Sequence, residues 1–220
     1  MYILLLISMI ISVAASIKVK STFAKYENTL NRHGMTGAQA AEHLLSANGV
    51  SHVRIEPCAG RLSDHYDPAA MVIRLSEPVY HGRSVAAIGV AMHEAGHAVQ
   101  YAQGYGPVKL RRAIVGVTQF ASNASYLLIL ISLLFGMVML LDLGILLFCV
   151  VMFFQLVTLP VEFNASARAL ENMEASMLFD DDEQKAAKEV LHAAAMTYVA
   201  AVAVSLLQLL RLLAIRGNRR

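Results

Sequence analysis

Between Ala121 and Val161 the chain is almost entirely apolar over about twice the length that one helix needs to cross a bilayer. In lipid a backbone must satisfy its own hydrogen bonds, so such a run can only be helical. Asp142-Leu143-Gly144 interrupts it near its middle, which predicts a hairpin of two transmembrane helices whose ends return to the same side of the membrane. Composition agrees: 57% of the 220 residues are hydrophobic, 15% are charged and the mean hydropathy is +0.54, too apolar for a soluble domain of this size. Tyr2 to Ile17 is a second, shorter apolar run, and His192 to Ile215 a third. The first lacks a positive leading region and is followed by Lys18, Lys20 and Lys25, so it reads as an uncleaved anchor with its N-terminus outside. Val13-Ala14-Ala15 is the competing signal-peptidase reading. Counting spans from an outside N-terminus puts the tail Arg216-Gly217-Asn218-Arg219-Arg220 outside as well, against the positive-inside rule. Either the last segment lies along the interface, or the first anchor is cleaved or oriented otherwise. A net charge of +2 with no basic, aromatic-interleaved patch excludes a nucleic-acid partner. Cys58 and Cys149 do not form a disulfide framework, because Cys149 lies in the apolar run.

The chemistry is concentrated in His93-Glu94-Ala95-Gly96-His97. On a helix, residues four apart share a face, so both imidazoles can reach one metal ion. Two histidines are half of a tetrahedral zinc shell, and a catalytic site adds one more protein ligand and a water. Glu94 is rotated roughly 100° from His93, which puts it beside that water as general base rather than on the metal. Ser84 caps this helix and the Gly104 to Pro107 region ends it, while Ala95, Gly96 and Ala98 let another element approach closely. The bland alternative is a surface or core histidine pair.

Thr36 to Ala47 reads as a short amphipathic helix with Thr36 as N-cap; His33 and His43 beside it read as surface residues. Ser51 to Pro57 and Met71 to Leu75 read as strands, with Asp64-His65-Tyr66-Asp67-Pro68 as the loop between them. This small sheet either presents an edge to an extended peptide or only covers the motif helix. The segment after Pro160 is helical, with small residues at Ala165 and Ala169 and an acid, Glu162, in its first turn. Because the hairpin returns it to the side of the motif helix, Glu162 is the candidate third ligand. Ser166, one turn on, is placed to hydrogen-bond a ligating histidine, and Arg168 to pair with a carboxylate. His65, His81, Glu171, Glu174 and the acids of Asp180-Asp181-Asp182-Glu183 are alternative ligands. His192 and Tyr198 are candidate transition-state donors by residue type alone.

At these residues the chain resembles a known family. Gly60-Arg61-Leu62-Ser63-Asp64-His65-Tyr66-Asp67-Pro68, then Tyr80-His81-Gly82-Arg83-Ser84 leading into the motif helix, and Glu162-Phe163-Asn164-Ala165-Ser166 are similar to the YugP-type bacterial membrane zinc metallopeptidases. Glu162-x-x-Ala165-Ser166 is more distantly similar to the E-x-x-A-D segment of the HtpX and Ste24 peptidases, where the glutamate binds zinc and the aspartate supports a ligand. The chain departs by carrying Ser166 where those have the acid. The resemblance implies a neutral zinc peptidase of the bacterial plasma membrane with Zn2+ as cofactor.

The expectation is therefore a mainly α membrane protein. An N-terminal membrane anchor (1–17) precedes a metallopeptidase domain with the motif helix and small sheet (18–120), a transmembrane hairpin (121–161), a third-ligand helix and acidic loop (162–191), and a C-terminal apolar helix with a basic tail (192–220). The expected activity is peptide-bond hydrolysis on a peptide or membrane-protein substrate, with the site at the cytoplasmic face of a multi-pass protein. The charged residues around the motif argue against a site inside the hydrocarbon. The alternative is a non-catalytic metal-binding scaffold or chaperone-like protein of the same fold; an intact Glu94 favours the enzyme.

Overall fold

The computed structural model describes residues 2–60 and 62–218; Arg61 of the Gly60 to Pro68 segment and Arg219 and Arg220 of the basic tail lie outside them. The described residues form seven helices and one three-stranded sheet. In chain order they are α1 (Tyr2–Tyr26), α2 (Gly37–Ala47), β1 (Arg54–Cys58), β2 (His65–Asp67), β3 (Val72–Ser76), α3 (Glu77–Tyr80), α4 (Val85–Ala102), α5 (Gly106–Phe135), α6 (Val138–Ser176) and α7 (Asp181–Gly217). Four of them, α1, α5, α6 and α7, are long and apolar enough to cross a membrane. Their apolar side chains point mostly outward, with Phe120, Phe135, Met139 and Leu146 all exposed, as lipid-facing surfaces are.

The motif helix, α4, lies at the centre of the polar end. Its small and apolar face (Ala91, Met92, Ala95, Val99) is buried against Leu44 of α2, Ile73 and Leu75 of β3, Met173 of α6 and Ala187 and Leu191 of α7. The Ser84 hydroxyl accepts from Ala87 N at 3.1 Å to start it, and α2 starts with a reciprocal capping box between Thr36 and Gln39. Both caps stand where the sequence places them.

The sheet has the order β1-β3-β2, with β1 parallel to β3 and β2 antiparallel to it. The Asp64 to Pro68 stretch is therefore not all loop. Tyr66 pairs with Ile73, and the Asp67 carboxylate accepts from the backbones of Ala69 and Ala70 and from Arg74, fixing the hairpin. Three residues with no apolar alternation carry no strand signal of their own, so only the pairing partner defines β2.

The hairpin also turns elsewhere than the sequence suggests. The turn is Gly136-Met137, where Gly136 adopts φ +73, and Asp142-Leu143-Gly144 lies inside α6. Each of its polar features has a packing partner instead. Asp142 is paired with Arg216 near the end of α7. A Cβ on Gly144 would stand 2.7 Å from Ile129, and its carbonyl accepts from the Ser125 hydroxyl at 2.8 Å, so glycine marks the closest approach of α5. From Leu143 to Val161 α6 offers about 28 Å of apolar helix, one hydrocarbon thickness, and it then continues unbroken through Pro160 to Glu162 and beyond.

Candidate metal centre

Two helices build the site. On α4, His93 and His97 stand one turn apart with ring centroids 4.6 Å from each other. α6 crosses them at Gly96, where an added Cβ would lie 2.7 Å from the carbonyl oxygen of Ala165. Only a glycine there, facing a fully buried Ala165, lets the backbones come this near. The crossing brings Glu162 Oε2 to 3.4 Å from Nε2 of His93 and to 3.4 Å from Nε2 of His97.

Those distances are long for hydrogen bonds but are what a shared ion requires. Ligands held at 2.0 to 2.1 Å in a tetrahedron stand about 3.3 Å apart. Glu162 is 2% exposed, and among the described residues its enclosed Oε2 has no hydrogen-bond partner, a state that is costly unless a cation completes it. The other oxygen, Oε1, accepts from Arg111 at 3.1 Å.

Hydrogen bonds behind the rings set which nitrogen faces inward. Gln100 donates its amide hydrogens to Val161 O at 2.7 Å and Asn164 Oδ1 at 3.0 Å, so its own oxygen must face His97 Nδ1, 3.0 Å away. The neutral His97 ring then carries its proton on Nδ1 and turns a bare lone pair from Nε2 toward Glu162. Asn164 Oδ1 is held in turn by Arg168 Nε at 2.8 Å. Ser166 Oγ stands 3.1 Å from His93 Nδ1. Burial by itself would make His97 less basic, but the carboxylates of Glu162 and Glu94 outweigh it and hold the ring above the ordinary histidine value. The site attracts positive charge.

Beside the three groups is an open cleft of about 380 Å³, lined by Glu94, by His65 and Tyr66 of β2, by Arg111 and Arg112 of α5, and by Tyr198 of α7. Tyr66 packs edge-on against Tyr101 at the end of α4, which ties β2 to the cleft wall.

Among the described residues, His93, His97 and Glu162 form the group able to hold a metal. His65 reaches the cleft but its Nδ1 lies 2.7 Å from the carbonyl of Ser63, and exposed His81 faces Glu77 instead. Glu171 and Glu174 stand outside the group, while Asp180 caps α7 and pairs with Arg32. Arg168 contacts two amide oxygens, Asn164 Oδ1 and Gln103 Oε1, not a carboxylate. Exposed His192 does not line the cleft, whereas Tyr198 does. Gln100 and Arg111 were not anticipated. Gln100 stands three residues after His97, a spacing that puts the two side chains together; Arg111 gives no such local signal, because only the fold brings the start of α5 back to α6.

A family model described as "Putative neutral zinc metallopeptidase" matches residues 1–217. The chain belongs to that family. The "Putative membrane protease YugP" of Bacillus subtilis (strain 168) is 50% identical over 206 residues, which cover 94% of this chain and 92% of that protein. No solved structure matches the chain. Membership of the neutral zinc metallopeptidase family implies zinc, and the enclosed, donor-less oxygen of Glu162 facing two imidazole nitrogens fits that ion.

Proposed function

We propose that this protein is a membrane-bound zinc endopeptidase that cuts peptides or membrane-protein segments at the cytoplasmic face of the bacterial plasma membrane. One observation carries the reading: three inward-facing ligand atoms stop at three, and the fourth side opens into a cleft that contains Glu94. A purely structural zinc site closes with four protein ligands.

His93, His97 and Glu162 would hold the ion. Zinc supplies Lewis acidity there, polarising an amide carbonyl and bringing the pKa of water near 7. Glu94 stands at the cleft, takes a proton from the attacking water and delivers it to the leaving amine. No covalent acyl-enzyme forms. Arg111 occupies one oxygen of Glu162 and so leaves the other for the metal. Tyr198 lines the same cleft, where its hydroxyl would donate to the oxyanion as it develops. Lys18, Lys20 and Lys25 at the end of α1 and Lys109, Arg111 and Arg112 at the start of α5 surround this end of the molecule, which supports a cytoplasmic orientation.

The test compares zinc content and cleavage of casein or a membrane peptide for wild type, Glu94→Gln and Glu162→Ala. Glu94→Gln should keep zinc and lose at least about 100-fold in rate, and Glu162→Ala should lose both. A wild type that holds zinc and cleaves neither substrate would turn the reading to a non-catalytic scaffold. Full zinc in Glu162→Ala would move the third ligand to another residue, with His65 first in line.

A further inference from the structure

At the end of the membrane bundle away from the metal centre, α5, α6 and α7 line a half-open cavity of about 340 Å³. Its wall is mostly apolar (Tyr126, Leu130, Phe148, Val151), but α7 contributes Arg211 and Gln208. Among the described residues the hydrogen-bond partner of Arg211 is Gln208 Oε1 at 3.3 Å, and the guanidinium Nε is buried with no partner. Arg211 stands five residues, roughly 7.5 Å, along α7 from Arg216, whose carboxylate partner Asp142 lies one turn into α6, close to the Gly136-Met137 turn. A guanidinium just inside a bilayer edge is costly unless it meets an anion, and its stem is long enough to reach the phosphate level. Arg216 at the same edge already has its carboxylate; Arg211 has an amide only.

We infer that this cavity seats one anionic phospholipid from the leaflet at the hairpin-turn side, its phosphate on Arg211 and Gln208 and an acyl chain between Tyr126, Leu130 and Val151. The chemistry fits on both counts: a planar guanidinium is matched to phosphate oxygens, and the remainder of the wall is mostly apolar, with Ser122 and Ser125 its small polar side chains and the Ser125 hydroxyl already donated to the Gly144 carbonyl. This site is independent of the metal centre and of the activity proposed for it.

Wild type, Arg211→Gln, Arg211→Lys and Leu130→Trp would be prepared in detergent, exchanged against phosphatidylcholine with graded phosphatidylglycerol, and the retained lipid measured by native mass spectrometry. Circular dichroism and zinc content serve as independent checks that each variant is folded. Wild type should retain phosphatidylglycerol over phosphatidylcholine. Arg211→Gln should lower that preference about fivefold, the factor expected for one basic residue at an anionic surface, and Arg211→Lys should keep most of it. Leu130→Trp, which fills the apolar end, should reduce retention of both lipids. The inference is overturned if Arg211→Gln keeps the full preference, if wild type shows none, if Leu130→Trp retains lipid as wild type does, or if an acidic transmembrane peptide displaces the lipid.

Discussion

Gln100 is fully buried three residues beyond the second histidine, and its three hydrogen bonds leave it a single orientation. Its contribution to the site is directional: it fixes the His97 tautomer and aims Nε2 at Glu162. Gln100→Leu fills nearly the same volume yet leaves Nδ1 of His97 without a partner and removes the bond that ties α4 to the carbonyl of Val161. Zinc affinity, measured by competition with a chromophoric chelator, should fall by about 10- to 100-fold while helix content is retained. Asp67 shows a different residue-level effect. Its carboxyl is held down to about 2, chiefly by the Arg74 guanidinium and then by the Ala70 backbone N–H. A carboxyl depressed on folding stabilises above its unfolded pKa of about 4 and loses that contribution as pH falls through about 2. The melting temperatures of wild type and Asp67→Asn should therefore differ most above pH 4 and converge toward pH 2; a gap that stays constant across that range would show that the Arg74 pair does not secure the β2–β3 hairpin. At this scale the sequence was legible where chemistry is local. His93, Glu94 and His97 fall within one turn and a half of helix, and Ser166 is one turn from Glu162. Arg111 was not legible, since nothing in the local pattern says that α5 folds back onto α6.

Helix crossings are decided by what is missing from a side chain. Gly96 and Ala165 allow α4 and α6 to touch at the level of His93, His97 and Glu162, so the same contact sets both the packing and the spacing of the three candidate ligands. Gly96→Ala should cost about 1 to 3 kcal/mol by overpacking, because the methyl meets a backbone oxygen that cannot rotate away, and zinc occupancy should fall with the melting temperature. Gly116→Ala on α5 is the control: nothing lies within 4 Å of its added Cβ, and both quantities should hold. Gly144 is the instructive counterpart. In the sequence, Asp142-Leu143-Gly144 looks like a turn because a charge and a glycine break an apolar run; in the fold, the charge has Arg216 and the glycine has α5. A polar residue within a membrane-length run marks either a turn or an interhelical contact, and the local pattern does not separate the two. Gly136 carries the real turn with only apolar neighbours around it, so no contrast announces it.

Across the whole molecule, the ends of the four membrane-length helices sort into two groups. Tyr26 and Lys25 at the end of α1 contact Glu189 near the start of α7, and Glu183 in the first turn of α7 accepts from Arg32 N, all at the metal-centre end. The Gly136-Met137 turn and the Arg216 end of α7 meet at the other, through Asp142. The C-terminal segment is thus a helix packed along the bundle, which favours a spanning α7 over one lying in the interface. The conflict with the positive-inside rule lessens for a physical reason: a count of tail charges takes Arg216 as free, whereas Asp142 offsets it. In sealed vesicles, single cysteines at Met137→Cys and Asn218→Cys, on a Cys58→Ser, Cys149→Ser background, should react with a membrane-impermeant maleimide from the same side, and His52→Cys only from the opposite one. All three positions are exposed on the protein, and reaction of each after detergent lysis of the vesicles would show that a failure in sealed vesicles reports the membrane and not packing. Reaction of Asn218→Cys together with His52→Cys would mean that α7 does not cross, and the Asp142–Arg216 pair would then have to form on the metal-centre side, which the length of α6 between Asp142 and Glu162 forbids, because about 28 Å of apolar helix separates the two levels.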